Sequence, residues 1–239
     1  MPRSASRSQT RFKAVVFDAY GTLFDVHSVA SLAEQLFPGN GDALSRLWRQ
    51  KQLEYSWLRA MSRRYKPFWE ITRDALIYSA AHLSLELASD CEDRLMNQYS
   101  SLSAFPENLQ ALREMKAAGL PLGILTNGNR EMIEVAVRSA GMGGLFDHVL
   151  SSDTVQTFKT MDTIYDLAPE AFDCRSRDIL FVSSNCWDAI GSRHYGFTSF
   201  WINRGGLPLD RLDLEPDYIG RQLTEVLKLV QASGAKKTH

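Results

Sequence analysis

The sequence predicts a doubly wound α/β fold, with a mostly parallel sheet and an inserted all-helical segment. Short apolar runs alternate with helical stretches along most of the chain, and the clearest of these runs end in polar residues. Strands and helices that alternate in this way form parallel sheets with helices on both faces. One long stretch with helical spacing interrupts the alternation after the first strand, and it predicts an insertion at that point.

The first predicted strand covers residues 14–17 and ends at an aspartate. Its four apolar residues are typical of a strand buried on both faces, and Asp18 follows just before a turn at Gly21. In open α/β sheets, ligands bind outside the carboxyl ends of the strands. Asp18 is therefore a candidate nucleophile or metal ligand, although aspartate is also common at the start of a helix.

Residues 26–103 show helical spacing throughout and little clustering of β-branched residues. Apolar residues recur three and four positions apart, which is the spacing of one helix face. The positions that show this spacing most clearly are Leu44, Leu47, Trp48, Leu53, Trp57 and Leu58. We expect an all-helical cap domain that leaves the sheet directly after the Asp18 turn and covers that edge.

The remaining part of the chain, residues 104–239, supplies the other strands and helices. A helix over residues 106–118 begins at a proline and ends at Gly119. The predicted strands that follow cover residues 120–125, 148–150, 179–182 and 198–202. Together with residues 12–25, this part is expected to form a Rossmann-like core domain. Residues 1–11 are polar and basic, and they predict a disordered tail.

Polar residues at the strand tips point to one edge of the predicted sheet. Thr126 and Asn127 follow the second clear apolar run, and Ser183 and Asn185 follow a later one. Because the carboxyl ends of parallel strands meet at the same edge, we expect these side chains to lie beside Asp18.

Composition limits the class of partner and the compartment. The chain has 239 residues and a net charge of -1, which gives no long-range attraction to nucleic acid or to an anionic membrane. Three cysteines are too few and too scattered for a disulfide framework or a zinc site. No apolar run approaches the roughly 20 residues of a membrane helix. We therefore expect a cytoplasmic protein that acts on a small molecule.

Four ordered motifs resemble those of the haloacid dehalogenase superfamily, and specifically those of its L-2-haloacid dehalogenases. The motifs are the run Phe17 to Thr22, the triplet Thr126 to Gly128, Lys159, and the run Phe181 to Asp188. The resemblance covers roughly residues 12–231. It implies that Asp18 attacks C2 of an L-2-haloalkanoate and releases a halide ion, and that water then frees a D-2-hydroxy acid from the aspartyl ester.

Two departures from the phosphatases of this superfamily favour a dehalogenase. Those phosphatases carry a general acid two positions after the nucleophile, where this chain has Tyr20, and a halide ion leaves without a proton. Near the fourth motif, Asp188 is the only nearby acid, which makes a poor magnesium site. The resemblance therefore implies no metal and no cofactor. The alternatives are a magnesium-dependent phosphohydrolase, a dehalogenase that prefers haloacetate or fluoroacetate, and a catalytically silent binding protein.

The resemblance also assigns roles to individual residues. The predicted catalytic residues are Asp18, Thr22, Arg49, Lys159, Tyr165, Ser183, Asn185 and Asp188. The predicted substrate-binding residues are Ala19, Tyr20, Gln50, Leu53, Phe68, Thr126, Asn127 and Trp187. Within these sets, Lys159 would keep the Asp18 carboxylate ionised. Arg49, Asn127 and Trp187 would bind the departing halide.

Several of these residues have purely structural alternatives. A surface lysine is the alternative for Lys159, and a surface ion pair is the alternative for Arg49. Core packing is the alternative for Trp187. Helix capping is the alternative for Ser183 and Asn185, since both residue types favour helix starts.

The resemblance leaves the activation of the hydrolytic water open. Asp188 is one candidate base, and Asn185 and Lys159 together could share the hydrogen bonds of the water. The resemblance also implies a homodimer whose partners are the 2-haloacid substrate and the halide ion, with no nucleic acid and no membrane.

Overall fold

The protein, in a computed structural model that describes residues 12–234, contains a six-stranded sheet in which all strand pairs are parallel. The strands are β1 (Ala14–Phe17), β2 (Leu122–Thr126), β3 (His148–Ser151), β4 (Ile179–Ser183), β5 (Thr198–Ile202) and β6 (Tyr218–Gly220). Their order across the sheet is β3-β2-β1-β4-β5-β6, so β1 has a parallel neighbour on each side. The predicted tail, residues 1–11, lies outside the described residues.

The strands agree with the sequence-based expectation, except that some begin or end at other residues and that one strand at the edge of the sheet was not expected. β1 and β5 have the expected bounds, whereas β2 begins two residues later than expected and includes Thr126. β4 continues to Ser183, so this serine is part of the strand. β6 was not expected from the sequence, because it has three residues and only Gly220 among them is buried.

Four helices occupy the insertion that follows β1. They are α1 (Ala30–Leu36), α2 (Gly41–Ser62), α3 (Phe68–His82) and α4 (Ser89–Ser100). The chain enters and leaves this insertion side by side, because Phe24 and Ala104 form an antiparallel bridge. The backbone N–H of Asp25 donates to the carbonyl of Ser103 at 2.8 Å. None of the helices within residues 12–234 has the length and apolarity that a membrane crossing needs.

The other helices cover the two faces of the sheet. They are α5 (Asn108–Ala117), α6 (Arg130–Ser139), α7 (Asp162–Tyr165), α8 (Leu167–Ala171), α9 (Cys186–Tyr195) and α10 (Leu223–Gly234). The side chains of β1 alternate between the two faces of the sheet and therefore belong to two separate clusters of the core. Val15 and Phe17 pack with α5, α6 and α10 on one face. Ala14 and Val16 pack with α7 and α8 on the opposite face. Successive side chains of a strand point to opposite faces of the sheet, so strands that are apolar throughout bury both faces. Helices must therefore cover both sides of the sheet, which is the doubly wound arrangement.

The buried face of α2 differs from the expected apolar stripe. Trp48 is buried, but the stripe continues four residues later with Gln52 and not with Trp57 or Leu58, which are 37% and 50% exposed. The buried amide of Gln52 has partners, since its Nε2 donates to Thr72 Oγ1 at 2.6 Å. A satisfied polar group can replace an apolar one in a helix interface.

Candidate active site

Asp18 lies at the carboxyl edge of the sheet, immediately after β1. Its backbone N–H donates to the carbonyl of Val182 at 2.9 Å, which continues the pairing of β1 with β4 by one residue. The side chain is almost buried, with 6% of the residue exposed. The chain then turns at Gly21, whose φ of 93° favours glycine. The next helix begins only at Ala30, so Asp18 does not cap it.

Three donors hold the carboxylate of Asp18. Lys159 Nζ donates to Oδ1 at 3.0 Å. Thr22 Oγ1 and Asn185 Nδ2 donate to Oδ2 at 2.9 and 3.0 Å. Hydrogen bonds from a cation, a hydroxyl and an amide to one carboxylate fix the plane of its two oxygens.

Lys159 is a buried cation between two carboxylates. Its Nζ contacts Asp188 Oδ2 at 2.9 Å in addition to Asp18, and only 1% of the residue is exposed. Burial alone lowers the pKa of Lys159, but the two carboxylates outweigh it, and the pKa lies above the ordinary lysine value. The alternative of a surface lysine is therefore wrong.

Asp188 and Tyr165 extend this cluster into the core. Tyr165 donates its hydroxyl to Asp188 Oδ1 at 2.7 Å, and both residues are fully buried. Burial raises the pKa of Asp188, and the charge of Lys159 opposes that rise. Burial and then the Asp188 charge raise the pKa of Tyr165 well above its ordinary value, so its hydroxyl stays a hydrogen-bond donor.

Asn185 occupies the N-cap position of α9, but its side chain serves Asp18. Within the described structure that side chain makes no capping hydrogen bond. Its Nδ2 reaches Asp18 and, at 3.4 Å, the carbonyl of Tyr20. Ser183 is buried at the end of β4, and its Oγ accepts from the backbone N–H of Asn185 at 3.2 Å. The capping alternative is therefore wrong for the Asn185 side chain.

Arg49 connects the helical insertion to the loop that follows Asp18. From α2, its guanidinium donates to Gln52 Oε1 at 2.7 Å and to the carbonyl of Tyr20 at 3.2 Å. Arg49 is half-buried and lines a cavity of about 340 Å³ together with Leu53 and Asn185. A cation thus lies beside the loop that follows Asp18, in contacts unlike those of a surface ion pair.

Aromatic rings pack around Tyr20, two residues after Asp18. The Tyr20 ring stacks on Tyr99 with centroids 5.9 Å apart and lies 6.1 Å from Phe68. Ala19, Tyr20 and Phe68 are all buried. Burial raises the pKa of Tyr20, and its hydroxyl has no hydrogen-bond partner among residues 12–234. The structure therefore brings these three predicted substrate-binding residues to the site.

Thr126 and Asn127 shape the neighbouring strand tip. Thr126 Oγ1 accepts from the backbone N–H of Gly128 at 3.0 Å. Asn127 Oδ1 accepts from the backbone N–H of Lys159 at 2.9 Å. Asn127 thus anchors the loop that delivers Lys159, and both residues are buried.

Trp187 and Gln50 lie further out. Trp187 is half-buried and packs edge-to-face on Trp57, with ring centroids 5.4 Å apart. Both tryptophans line an apolar cavity of about 450 Å³ that also touches Lys159. Gln50 is exposed on α2, because the preceding Arg49 takes the inward-facing position of that turn. The structure does not bring Gln50 into the cluster, and its role in substrate binding stays a prediction.

Sequence reasoning missed several residues that support this site. Ser184 donates its backbone N–H to Thr22 Oγ1 at 2.8 Å. Gln52 holds Arg49, and Arg204 donates to the loop after Asp18. Gln52 could have been found from the sequence, because it interrupts the apolar stripe of α2. No neighbouring residues pointed to Arg204, since its partners lie about 180 residues earlier in the chain.

Within residues 12–234, no group of three or more His, Cys, Asp or Glu side chains is arranged to hold a metal ion. The space between the carboxylates of Asp18 and Asp188 holds the Lys159 ammonium. Together with Arg49, the cluster combines two carboxylates with two cations. An oriented and almost buried carboxylate of this kind is suited to nucleophilic displacement of an anionic leaving group.

The comparisons with known proteins agree with this geometry. The model of the haloacid dehalogenase-like hydrolases matches residues 12–196. An (S)-2-haloacid dehalogenase from Pseudomonas putida is 45% identical over 214 residues, which are 90% of this chain and 94% of the relative.

Solved structures extend the comparison to the fold. The crystal structure of an L-2-haloacid dehalogenase superposes with a TM-score of 0.91 at 55% identity, covering 93% of this chain and 100% of the other. The L-2-haloacid dehalogenase from Xanthobacter autotrophicus, solved with chloropropionic acid covalently bound, has a TM-score of 0.86 at 37% identity, covering 92% and 98%. The chain therefore belongs to the haloacid dehalogenase-like hydrolases, and within them to the (S)-2-haloacid dehalogenases.

Proposed function

We propose that this protein hydrolyses L-2-haloalkanoic acids to D-2-hydroxy acids through a covalent ester on Asp18, with inversion at C2 and without a metal. The observation that carries the proposal is the Asp18 carboxylate, which is almost buried and held by Lys159, Thr22 and Asn185. This arrangement presents an oriented nucleophile in a site with little access to water.

In the first step, a carboxylate oxygen of Asp18 attacks C2 from the face opposite the halogen. The new carbon–oxygen bond forms while the carbon–halogen bond breaks, and the electron pair leaves with the halide ion. Lys159 balances the charge of the carboxylate, and Thr22 and Asn185 orient it. No proton is needed by the leaving group, which agrees with Tyr20 in place of a general acid.

The departing halide needs donors and a cation. Arg49 supplies the cation beside the loop after Asp18. Asn127, at the neighbouring strand tip, and Trp187, on the cavity that touches Lys159, are the other proposed halide ligands. Thr126 and the backbone N–H groups near Ala19 and Tyr20 hold the carboxylate of the substrate.

The apolar residues near Tyr20 form the pocket for the alkyl group of the substrate. Leu53 lines the same cavity as Arg49, and Phe68 packs against Tyr20. These contacts place apolar surface next to the cation that would bind the halide, which suits a substrate with both features.

In the second step, water attacks the side-chain carbonyl carbon of the Asp18 ester. The acyl carbon–oxygen bond then breaks, and the Asp18 carboxylate is restored. One proton of the water goes to the departing alkoxide, which leaves as the hydroxy acid, and the other goes to a base and from there to solvent. Asp188 is placed to accept a proton within the buried cluster, while Asn185 and Lys159 are the other candidates to hold the water. Tyr165 and Ser183 keep these groups in place.

A magnesium-dependent phosphohydrolase would need a general acid and a magnesium site, and two features of this site do not suit these needs. The general-acid position holds Tyr20, which is buried among aromatic rings. The Lys159 ammonium lies between the carboxylates of Asp18 and Asp188, where it compensates their charge. Both features favour a monoanionic haloacid over a phosphate dianion.

We further propose a homodimer that works in the cytoplasm, with residues 26–103 as a cap domain on a core of residues 12–25 and 104–239. The bridge between Phe24 and Ala104 supports the domain boundary. Cys91, Cys174 and Cys186 are free thiols, which suits a reducing compartment. Light scattering of the purified protein tests the dimer, and a monomeric mass at micromolar concentration would contradict it.

Halide release from the separate L and D enantiomers of 2-chloropropanoate, measured in EDTA, tests the function. We expect wild type to release chloride from the L enantiomer alone and Asp18→Asn to release none. Asp166→Asn is the matched control, because Asp166 accepts a hydrogen bond from Tyr195 outside the site. Absence of chloride release, together with magnesium-dependent hydrolysis of a phosphate ester, would show a phosphohydrolase instead.

A further inference from the structure

Arg204, in the segment after β5, holds the loop that follows the nucleophile. Its two terminal guanidinium nitrogens donate to the carbonyls of Gly21 and Thr22, each at 3.2 Å. The guanidinium carbon lies 3.6 Å from the centre of the Phe105 ring. One of the nitrogens also contacts Glu107 Oε1 at 3.3 Å. These contacts fix the guanidinium plane on three sides.

The two carbonyls that Arg204 holds lie in the peptide groups on either side of Thr22. The Thr22 hydroxyl donates to Asp18 Oδ2 at 2.9 Å and accepts from the backbone N–H of Ser184 at 2.8 Å. A small rotation of these peptide groups would move the hydroxyl away from the nucleophile. The planar guanidinium of Arg204 opposes that rotation, because it donates to both carbonyls at once.

The contacts of Arg204 do not leave it free for substrate. It lines the same cavity of about 340 Å³ as Arg49. Arg49 donates to the Tyr20 carbonyl and to Gln52. The terminal nitrogens of Arg204 instead donate to the carbonyls of Gly21 and Thr22, and Glu107 balances its charge. Two arginines on one cavity thus have different surroundings and, we infer, different tasks.

We propose that Arg204 is a positioning residue for dehalogenation, which acts through Thr22 to hold the Asp18 carboxylate in its attacking orientation. The inference rests on the proposed function. It gives the segment after β5 a role in the reaction, although this segment belongs neither to the four motifs nor to the strand tips discussed above.

A double-mutant cycle with the substitutions Arg204→Met and Thr22→Val tests this inference. Chloride release from L-2-chloropropanoate gives kcat and KM, and thermal unfolding gives the fraction folded. Arg204→Lys keeps the charge and the ion pair but cannot span both carbonyls. Arg175→Met is the matched control, because Arg175 also pairs with a carboxylate, Asp178, but at the opposite edge of the sheet.

We expect Arg204→Met to lower kcat by about tenfold to a hundredfold with KM changed less than about twofold, since misplacement of a reacting group costs rate more than binding. Arg204→Lys should recover part of the loss. In the Thr22→Val background, Arg204→Met should lower kcat by less than about twofold, because its route to Asp18 is already broken.

Three results would overturn the inference: an unchanged kcat, an equal loss of kcat in both backgrounds, or a raised KM at unchanged kcat, which would make Arg204 a substrate ligand. If Arg204→Met does not fold, Arg204→Lys enters the same cycle with the same criteria. An inactive wild type would instead overturn the proposed function, so the two failures are distinguishable.

Discussion

The ammonium of Lys159 sets the charge balance of the site at the scale of single residues. It is almost completely buried and bridges Asp18 and Asp188. Two carboxylates at such a depth need a cation, since an unpaired buried charge is costly. The same contact orients the proposed nucleophile, so in the proposed mechanism one side chain serves both charge compensation and catalysis.

Replacement of Asp188 by Asn should shift the alkaline limb of activity to lower pH. The two carboxylates raise the pKa of Lys159 above its ordinary value, so wild type keeps the ammonium, and the stability it gives, until the pH rises through that raised pKa. Without one carboxylate, burial lowers that pKa. We expect kcat for L-2-chloropropanoate to fall by about tenfold or more at neutral pH, and its alkaline decline to begin at lower pH.

The matched control for this substitution is Asp166→Asn, which removes a carboxylate that accepts from Tyr195 and has no contact with Lys159. Its pH profile of kcat should follow that of wild type. An Asp188→Asn enzyme with an unchanged alkaline limb would show that Lys159 does not govern activity in this range.

Gly128 should be intolerant of a side chain. A Cβ at this position would lie 2.6 Å from the Tyr20 ring and 3.1 Å from its hydroxyl. We expect Gly128→Ala to lower the free energy of unfolding by about 1–3 kcal/mol, because overpacking in a dense region costs that much. KM for the haloacid should rise as the ring moves. Denaturant unfolding and steady-state kinetics measure the two effects.

Gly143→Ala is the control, since nothing lies within 4 Å of a Cβ there. It should change the unfolding free energy by less than about 0.5 kcal/mol. If the two variants have the same free energy of unfolding, the ring of Tyr20 moves aside without loss of stability, which would contradict this prediction.

At the scale of elements, the strand tips were the part of the site that the sequence could predict. Buried parallel strands are apolar on both faces, so a polar residue such as Asp18 or Asn185 marks the end of a strand. The contacts of Arg49 with Gln52 and of Arg204 with Gly21 were not predictable, because they join elements whose relative placement no local pattern encodes. The short β6 was missed because its alternation is too brief.

Asn108 connects the start of α5 to the loop that follows Asp18, and its loss should destabilise the protein. Its buried Nδ2 donates to the carbonyls of Thr22 and Leu23 at 3.1 and 3.0 Å. We expect Asn108→Ala to lower the free energy of unfolding by about 1–3 kcal/mol, the cost of leaving buried groups short of partners. Chemical denaturation measures this value.

Gln110→Ala is the matched control on the same helix, because this amide is exposed and reaches only Glu114 in the described structure. Its effect should stay within about 0.5 kcal/mol. A destabilisation by Asn108→Ala no larger than that of the control would contradict a role for α5 in holding the loop.

At the scale of the whole molecule, the proposed active site lies where the helical insertion meets the sheet edge. Arg49 comes from α2, whereas Asp18, Asn127 and Asn185 come from strand tips of the sheet. The sequence placed the insertion directly after Asp18, which made a covering role foreseeable. It did not reveal that Gln50 is exposed while Arg49 faces inward, since the two are adjacent residues of one helix.

The low net charge predicts a weak dependence of substrate capture on salt. With a net charge of -1, the whole protein neither attracts nor repels the haloacid strongly. We expect kcat/KM to change less than about threefold when potassium sulfate raises the ionic strength from about 0.01 to 0.15 M. A tenfold fall would show that the local field of the arginines steers the substrate over a long range.

A single turnover with enzyme in excess, in water enriched in the heavy oxygen isotope, tests the central claim of an aspartyl ester most directly. If Asp18 is the nucleophile, the first hydroxy acid carries the light oxygen of the aspartate, and the heavy isotope enters the peptide that contains Asp18. If water instead attacks C2 directly, the heavy isotope appears in the first product and the Asp18 peptide stays unlabelled, which would contradict the proposed mechanism.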